Sequence, residues 1–168
     1  MNGQQSITLR DARPDDHEFL REMSLEAMLW REDAARPAVD ELLAIPEVAR
    51  YFSEWGRQGD TAVIVASGSG ERLGAAWFRF FSAAEPGYGF VAEEIPELGI
   101  ALSKRSRGQG LGRMLMQALI ERARRMGLRG LSLSVEDGNS RAARLYTGLG
   151  FTRVQRVGTA WTMLLELT

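Results

Sequence analysis

The residues best placed to do chemistry lie in Arg107-Gly-Gln-Gly-Leu-Gly112, a glycine-bearing loop between a short apolar stretch and a longer amphipathic one. Glycines let a backbone come close to a ligand, and the helix start beyond them offers unpaired N–H groups at the positive end of a dipole. Lys104, Arg105, Arg107 and Arg113 add positive side chains. A phosphate or pyrophosphate suits that arrangement, although the same glycines would also serve a turn that only tightens a strand–helix joint. Two nucleotide motifs fail. A Walker loop needs Lys and then Ser or Thr after its last glycine, whereas Gly112 is followed by Arg113. A dinucleotide fingerprint would use Gly108, Gly110 and Gly112 with Glu136 as the acidic partner. Its third glycine comes one place early, and too little chain follows Glu136 to complete a doubly wound sheet.

Such residues need elements to hold them. Ile7 to Arg10 alternates like a half-buried strand, and Arg13–Asp16 reads as a turn into a helix. Phe19, Leu20, Met23, Ala27 and Trp30 recur at helical spacing, which predicts a helix from Asp16 to about Arg31. A second helix is predicted over Val39–Trp55, interrupted or kinked near Pro46. Thr61–Ala66 and Arg72–Phe81 form a hairpin about Ser67–Gly70, residues 82–94 form a loop, and Leu98–Leu102 is a short strand. After the glycine loop, Leu111, Met114, Leu115, Ala118, Leu119, Ala123 and Met126 make one helical face, closed by Gly127. Leu131, Leu133 and Val135 alternate with serines as a strand. Asn139 or Ser140 caps a short helix with Ala142, Leu145, Tyr146 and Leu149 inward, and Gly150 ends it. Strands near Thr152–Val157 and Ala160–Leu167 complete the chain. The order β-α-α-β-β-β-α-β-α-β-β predicts an α/β (mixed α+β) fold, a mixed sheet with helices on its faces, in one domain over residues 1–168.

Composition narrows the function. A chain of 168 residues can bury about two-thirds of its unfolded surface around one core. A formal net charge of −1 removes the usual electrostatic footprint of a nucleic-acid binder. Lys104 is the single lysine, and the arginines are spread along the chain among balancing acidic residues, which points to coding preference rather than anion binding. The absence of cysteine excludes disulfides, thiolate metal sites and an acyl-cysteine intermediate. Residues 1–10 lack the basic and apolar regions of a signal peptide, and the longest apolar run, near Thr61–Ala66, is far shorter than a membrane span. The expectation is a soluble, cytoplasmic protein with no membrane, nucleic-acid or metal partner.

The sequence resembles the GCN5-related N-acetyltransferase (GNAT) superfamily. The family's Q/R-x-x-G-x-G/A signature matches Arg107, Gly110 and Gly112, preceded by Glu97-Leu-Gly-Ile-Ala-Leu102 at the family's spacing. Val135-Glu-Asp-Gly-Asn139 follows, then Ala142, Ala143, Leu145, Tyr146 and Leu149-Gly-Phe151, with the family's gap of seven from Asn139 to Tyr146. The resemblance implies a GNAT-like fold, with a central mixed, mostly antiparallel sheet flanked by about four helices. It also implies transfer of an acetyl group from acetyl-CoA to a primary amine by direct attack in a ternary complex. Main-chain groups of Ile100, Ala101 and Leu102 would pair with the pantetheine arm. Arg107, Gly108, Gln109, Gly110, Leu111, Gly112 and Arg113 would hold the pyrophosphate through backbone N–H groups. Asn139 would bond the pantetheine or its surroundings as well as capping its helix, and Tyr146 would protonate the departing thiolate.

A primary amine with a pKa near 10.4 is mostly ammonium at neutral pH, so a carboxylate must accept its proton directly or through water. Glu97 is the first candidate, with Glu93 and Glu94 in reserve; a solvated acidic loop that attracts a cationic acceptor is the alternative role for all three. His17, the only histidine, reads as a surface residue. Relatives that acetylate ribosomal-protein N termini typically place a Glu where Ser134 stands here, which argues against a protein N-terminal acetyltransferase, while a protein or peptide acetyltransferase stays an alternative. Where relatives often carry His or Asp before a Pro, this chain has Ser103 and Lys104. Acceptor choice falls to Met28–Trp55 and Phe81–Glu94, where Trp30, Tyr51, Phe52, Trp55, Phe81 and Tyr88 either line a pocket or pack as core or dimer contacts. The expected acceptor is a small amine or amino-acid-like molecule. A non-catalytic acyl-CoA sensor is the rival reading, and the resemblance also implies a homodimer.

Overall fold

The computed structural model describes residues 6–168, so the absence of a leader, read from residues 1–10, falls partly outside the described residues. Seven strands form one sheet in the order β1-β2-β3-β4-β5-β7-β6. They are β1 (Ile7–Asp11), β2 (Thr61–Ser67), β3 (Arg72–Arg79), β4 (Glu97–Leu102), β5 (Gly130–Glu136), β6 (Thr152–Val157) and β7 (Ala160–Glu166). Every neighbouring pair is antiparallel except β4 and β5. Helices α1 (His17–Met28), α2 (Val39–Leu43), α3 (Pro46–Ala49), α4 (Leu111–Arg125) and α5 (Ser140–Gly148) cover its faces. The predicted order of elements and the mixed, mostly antiparallel sheet are what the structure shows. Among the described residues no helix is long and apolar enough to cross a membrane.

Three predicted details differ. The first helix ends at Met28 rather than near Arg31, with the Leu29 N–H bonded to the Leu25 carbonyl at its end. The predicted helix over Val39–Trp55 is instead two short ones, because Pro46 starts α3 and forces Ile45 before it into an extended conformation. Beyond Ala49 the chain turns, with Glu54 at φ 52. On α4 the buried face is Leu111, Leu115, Met116, Leu119, Ile120 and Ala123, while Met114 and Met126 are exposed. The inward ridge therefore follows i, i+4 steps, and Met116 and Ile120 take the places predicted for the two outer methionines.

β2 and β3 are apolar on both faces because both faces are covered. On one side Phe19, Leu20 and Met23 of α1 pack on Ala62, Ile64, Ala75, Trp77 and Ala101. On the other, α4 packs on Val63, Val65, Ala76, Phe78 and Leu98. Asp16, fully buried before α1, accepts from Arg10 at 2.7 and 3.0 Å and from the Arg13 N–H at 2.7 Å, and pairs with Arg72 at 2.8 Å. The Arg10 bonds lead in holding the Asp16 carboxyl at about 2, below its ordinary value. That clasp ties the entry of α1 to β1 and β3, and so sets where the far end of α1 meets the glycine loop.

Candidate active site

The sheet opens between its two parallel strands. β4 and β5 are in register only at Glu97 and Ser132, beside a 3.0 Å bond from the Ser132 N–H to the Pro96 carbonyl. Beyond that pair they diverge, and the N terminus of α4 stands past the end of β4. The Ser103 N–H donates to the Leu73 carbonyl at 2.9 Å, so strict antiparallel alternation turns the main-chain groups of Ala101 toward β3. Those of Ile100 and Leu102 face the opening. An extended, amide-bearing chain laid there would find a strand edge to pair with.

At the wide end, Gly110 caps α4 at φ 78, a left-handed conformation that disfavours a side chain, and no atom lies within 4 Å of where its Cβ would be. The first bond of the helix runs from the Met114 N–H to the Gly110 carbonyl at 3.3 Å. The N–H groups from Gly108 through Arg113, spanning Gln109, Leu111 and Gly112, have no acceptor among the described residues. Lys104, Arg105 and Arg113 are exposed around them. Such a cradle suits a pyrophosphate. The Arg107 side chain is turned away from it, to Glu26 at 3.4 Å and Glu32 at 3.3 Å, and so fastens the loop to the end of α1. Gln109 closes on its own loop through the Arg105 carbonyl at 3.2 Å. A cavity of about 500 Å³ beside Ser103 and Lys104 is lined by Glu22 and Glu26 and by Arg36, so its charges balance.

Asn139 caps α5, its Oδ1 accepting the Ala142 N–H at 3.4 Å. Trp30 reaches the same turn, 3.7 Å from where a Cβ on Gly138 would lie. Tyr146 faces inward from α5 with its ring 6.0 Å from that of Phe151, and its hydroxyl makes no hydrogen bond to a described residue. Burial pushes the phenol up to about 12, so it carries its proton at neutral pH.

The narrow end is built around Glu97, only 6% exposed. The Tyr51 hydroxyl donates to its Oε1 at 2.8 Å, and the Tyr88 N–H donates to the Tyr51 oxygen at 2.6 Å. Among the described residues Glu97 Oε2 has no partner, and neither does the Ser132 hydroxyl. Burial lifts the carboxyl to about 7, against the lesser opposing pulls of the Tyr51 hydroxyl and the nearby Gly89 N–H. Gly87 lies over Oε2: a Cβ there would stand 1.9 Å from that oxygen and 2.7 Å from the Tyr51 hydroxyl. Its glycine is demanded by space, not by backbone angle.

Of the aromatics singled out in the sequence, Tyr51, Phe81 and Tyr88 do gather here, with Tyr51 5.0 Å from Phe81 and 5.9 Å from Tyr88. Trp55 lies elsewhere, 5.2 Å from the Arg79 guanidinium. Glu93 accepts the Ala83 N–H at 2.9 Å and shapes the loop, while Glu94 and His17 are exposed. Sequence reasoning missed the pair beneath Tyr51. Arg79, 1% exposed, bonds Asp60 at 2.9 and 2.6 Å and the carbonyls of Arg50 and Ser53 at 2.9 and 2.7 Å. An arginine set between Phe78 and Phe80 was the available signal.

A family model described as "Acetyltransferase (GNAT) family" matches residues 20–151. The L-methionine sulfoximine/L-methionine sulfone acetyltransferase of Pseudomonas aeruginosa is 34% identical over 121 residues, covering 70% of this chain and 67% of that one. The mycothiol acetyltransferase of Sanguibacter keddieii is 31% identical over 149 residues, covering 88% of this chain but only 44% of its own length. Among solved structures, yncA from Salmonella typhimurium, with its cofactor acetyl-CoA, superposes with a TM-score of 0.69 at 24% identity, over 97% of this chain and 95% of that one. At that identity the likeness is one of fold.

Proposed function

We propose that this chain, which belongs to the acetyltransferase (GNAT) family and is an acetyl-CoA-dependent N-acetyltransferase, acetylates the primary amine of a small, amino-acid-like acceptor. The observation that carries the reading is the sheet opening between β4 and β5, with a phosphate cradle at one end and a buried carboxylate at the other. The pyrophosphate of acetyl-CoA lies on the N–H groups of Gly108–Arg113, and its pantetheine arm pairs with Ile100 and Leu102, with Asn139 nearby. The residues present fit that molecule, which brings the activated thioester.

Glu97 then accepts one proton from the acceptor ammonium, directly or through water, and the freed nitrogen attacks the thioester carbonyl carbon. A C–N bond forms and the C–S bond breaks. Tyr146 gives its proton to the leaving thiolate and is restored by the second proton that the nitrogen sheds. With no cysteine in the chain to hold the acyl group, transfer is direct. The amino-acid-like acceptor is supported by relatives named for L-methionine sulfoximine and L-methionine sulfone. We also take the chain as one domain and a homodimer.

Thiol release from acetyl-CoA across a panel of amino acids, sulfoximines, polyamines and short peptides tests the reading. Turnover is expected on amino-acid-like amines. Acetylation of peptides alone would overturn the acceptor class, and tight acetyl-CoA binding without turnover on any amine would favour a sensor.

A further inference from the structure

We infer that Tyr51 is a positioning residue for Glu97: its hydroxyl, held by the Tyr88 main chain, fixes Oε1 and leaves Oε2, the oxygen without a hydrogen bond, poised to take the acceptor's proton. The inference rests on Glu97 being the base. Geometry carries it. The Tyr88 N–H, the Tyr51 hydroxyl and Glu97 Oε1 form one directed chain of 2.6 and 2.8 Å links. A phenol oxygen that accepts from an N–H and donates its single proton to a carboxylate has one orientation. Oε2, buried and without a partner among the described residues, lies against Gly87.

The chain also connects three separate segments. Tyr51 follows α3, Tyr88 belongs to the loop of residues 82–94, and Glu97 begins β4. Docking of the loop through the Tyr88 N–H is therefore read directly at the base. Burial and the Glu97 charge push the Tyr51 phenol above its ordinary range, so it remains a donor throughout neutral pH. Other ionisable groups around Glu97 are few. Tyr88, itself raised mainly by burial, lies beyond Tyr51 with Glu47 and Arg50 next to it. Arg79, opposite Glu97 on β3, is committed to Asp60. From β5 comes the neutral Ser132. Tyr51 is thus the one titratable side chain that hydrogen-bonds the base.

Tyr51→Phe keeps the ring and deletes the bond. Because a donor to a carboxylate favours its charged form, Glu97 should titrate about one unit higher in this variant. A carbon-13 NMR titration of the glutamate carboxyls, with Glu97 assigned by its loss in Glu97→Gln, reads this without turnover. In parallel, the acid limb of kcat/KM for an acetylated amine should move up equally. That gives about a fivefold loss at pH 7 that recovers by pH 9. An unmoved Glu97 titration, or a loss of rate equal at every pH with the titration unmoved, overturns the inference. A shifted titration with an unshifted rate profile supports the Tyr51 link and overturns Glu97 as the base. Tyr51→Met, which deletes the same donor while keeping an apolar side chain of similar length, is the second variant if Tyr51→Phe does not fold, with the same upward shift expected and an unmoved titration again fatal.

Discussion

The two ends of the opening between β4 and β5 are built on different principles. The phosphate end uses main chain: a left-handed glycine, a run of free N–H groups and solvated cations, all within residues 104–113. The amine end uses side chains that hold one another in pairs, Tyr51 with Glu97 and Asp60 with Arg79, with Gly87 against the carboxylate. Backbone donors at a helix start are fixed in place by the helix and tolerate many neighbours. A buried carboxylate must be partnered, shaped and shielded. In the proposed reading one end binds the invariant part of a cofactor, and the other must be tuned.

Substitutions should therefore separate the two ends. The largest effect is expected from Arg79→Leu, which strands Asp60 without its partner in a buried site. Breaking such a pair costs about 3–5 kcal/mol, a fall in Tm of roughly 10 °C. Differential scanning calorimetry reads it, and binding of acetyl-CoA to the folded fraction should be spared. Tyr146→Phe comes next, with kcat lower by about 10²-fold and the KM for acetyl-CoA unchanged. A matching rise in that KM would mean that the phenol binds rather than protonates.

Gly110→Ala puts a Cβ into open space but into the left-handed conformation, at a cost of about 1–2 kcal/mol. Its expected reading is a KM for acetyl-CoA raised about tenfold with kcat little altered. The smallest change belongs to Arg107→Gln. Its guanidinium serves half-exposed pairs with Glu26 and Glu32 that are worth under about 1 kcal/mol. The KM for acetyl-CoA should rise only about twofold in isothermal or steady-state measurements. A loss of a hundredfold there would show that the side chain swings onto the pyrophosphate and would blur the contrast between the two ends.

Legibility in the sequence followed the same divide. The phosphate loop could be found from one short segment, because the glycines, the charges and the helix they precede are neighbours in the chain. The side-chain direction of Arg107 could not, since Glu26 and Glu32 reach it only through the packing of α1. Glu97 was visible as a carboxylate heading a strand. Its altered protonation was not, because that arises from burial under Gly87, against the opposing pull of a tyrosine 46 residues away. Arg79 and Asp60 escaped notice although they anchor the whole amine end, since a lone arginine in a strand carries no record of its partner.

By itself, the sequence determined the strand and helix periods, the order of elements and the chemistry of the glycine loop. All of these depend on residues within a turn or two of one another, where spacing alone dictates which face is apolar and which N–H is free. The tertiary structure alone decided where β4 leaves β5, which oxygen of Glu97 is free, and which cation lies buried. Those outcomes depend on contacts between distant segments and on exclusion of water, and neither leaves a periodic trace in the chain.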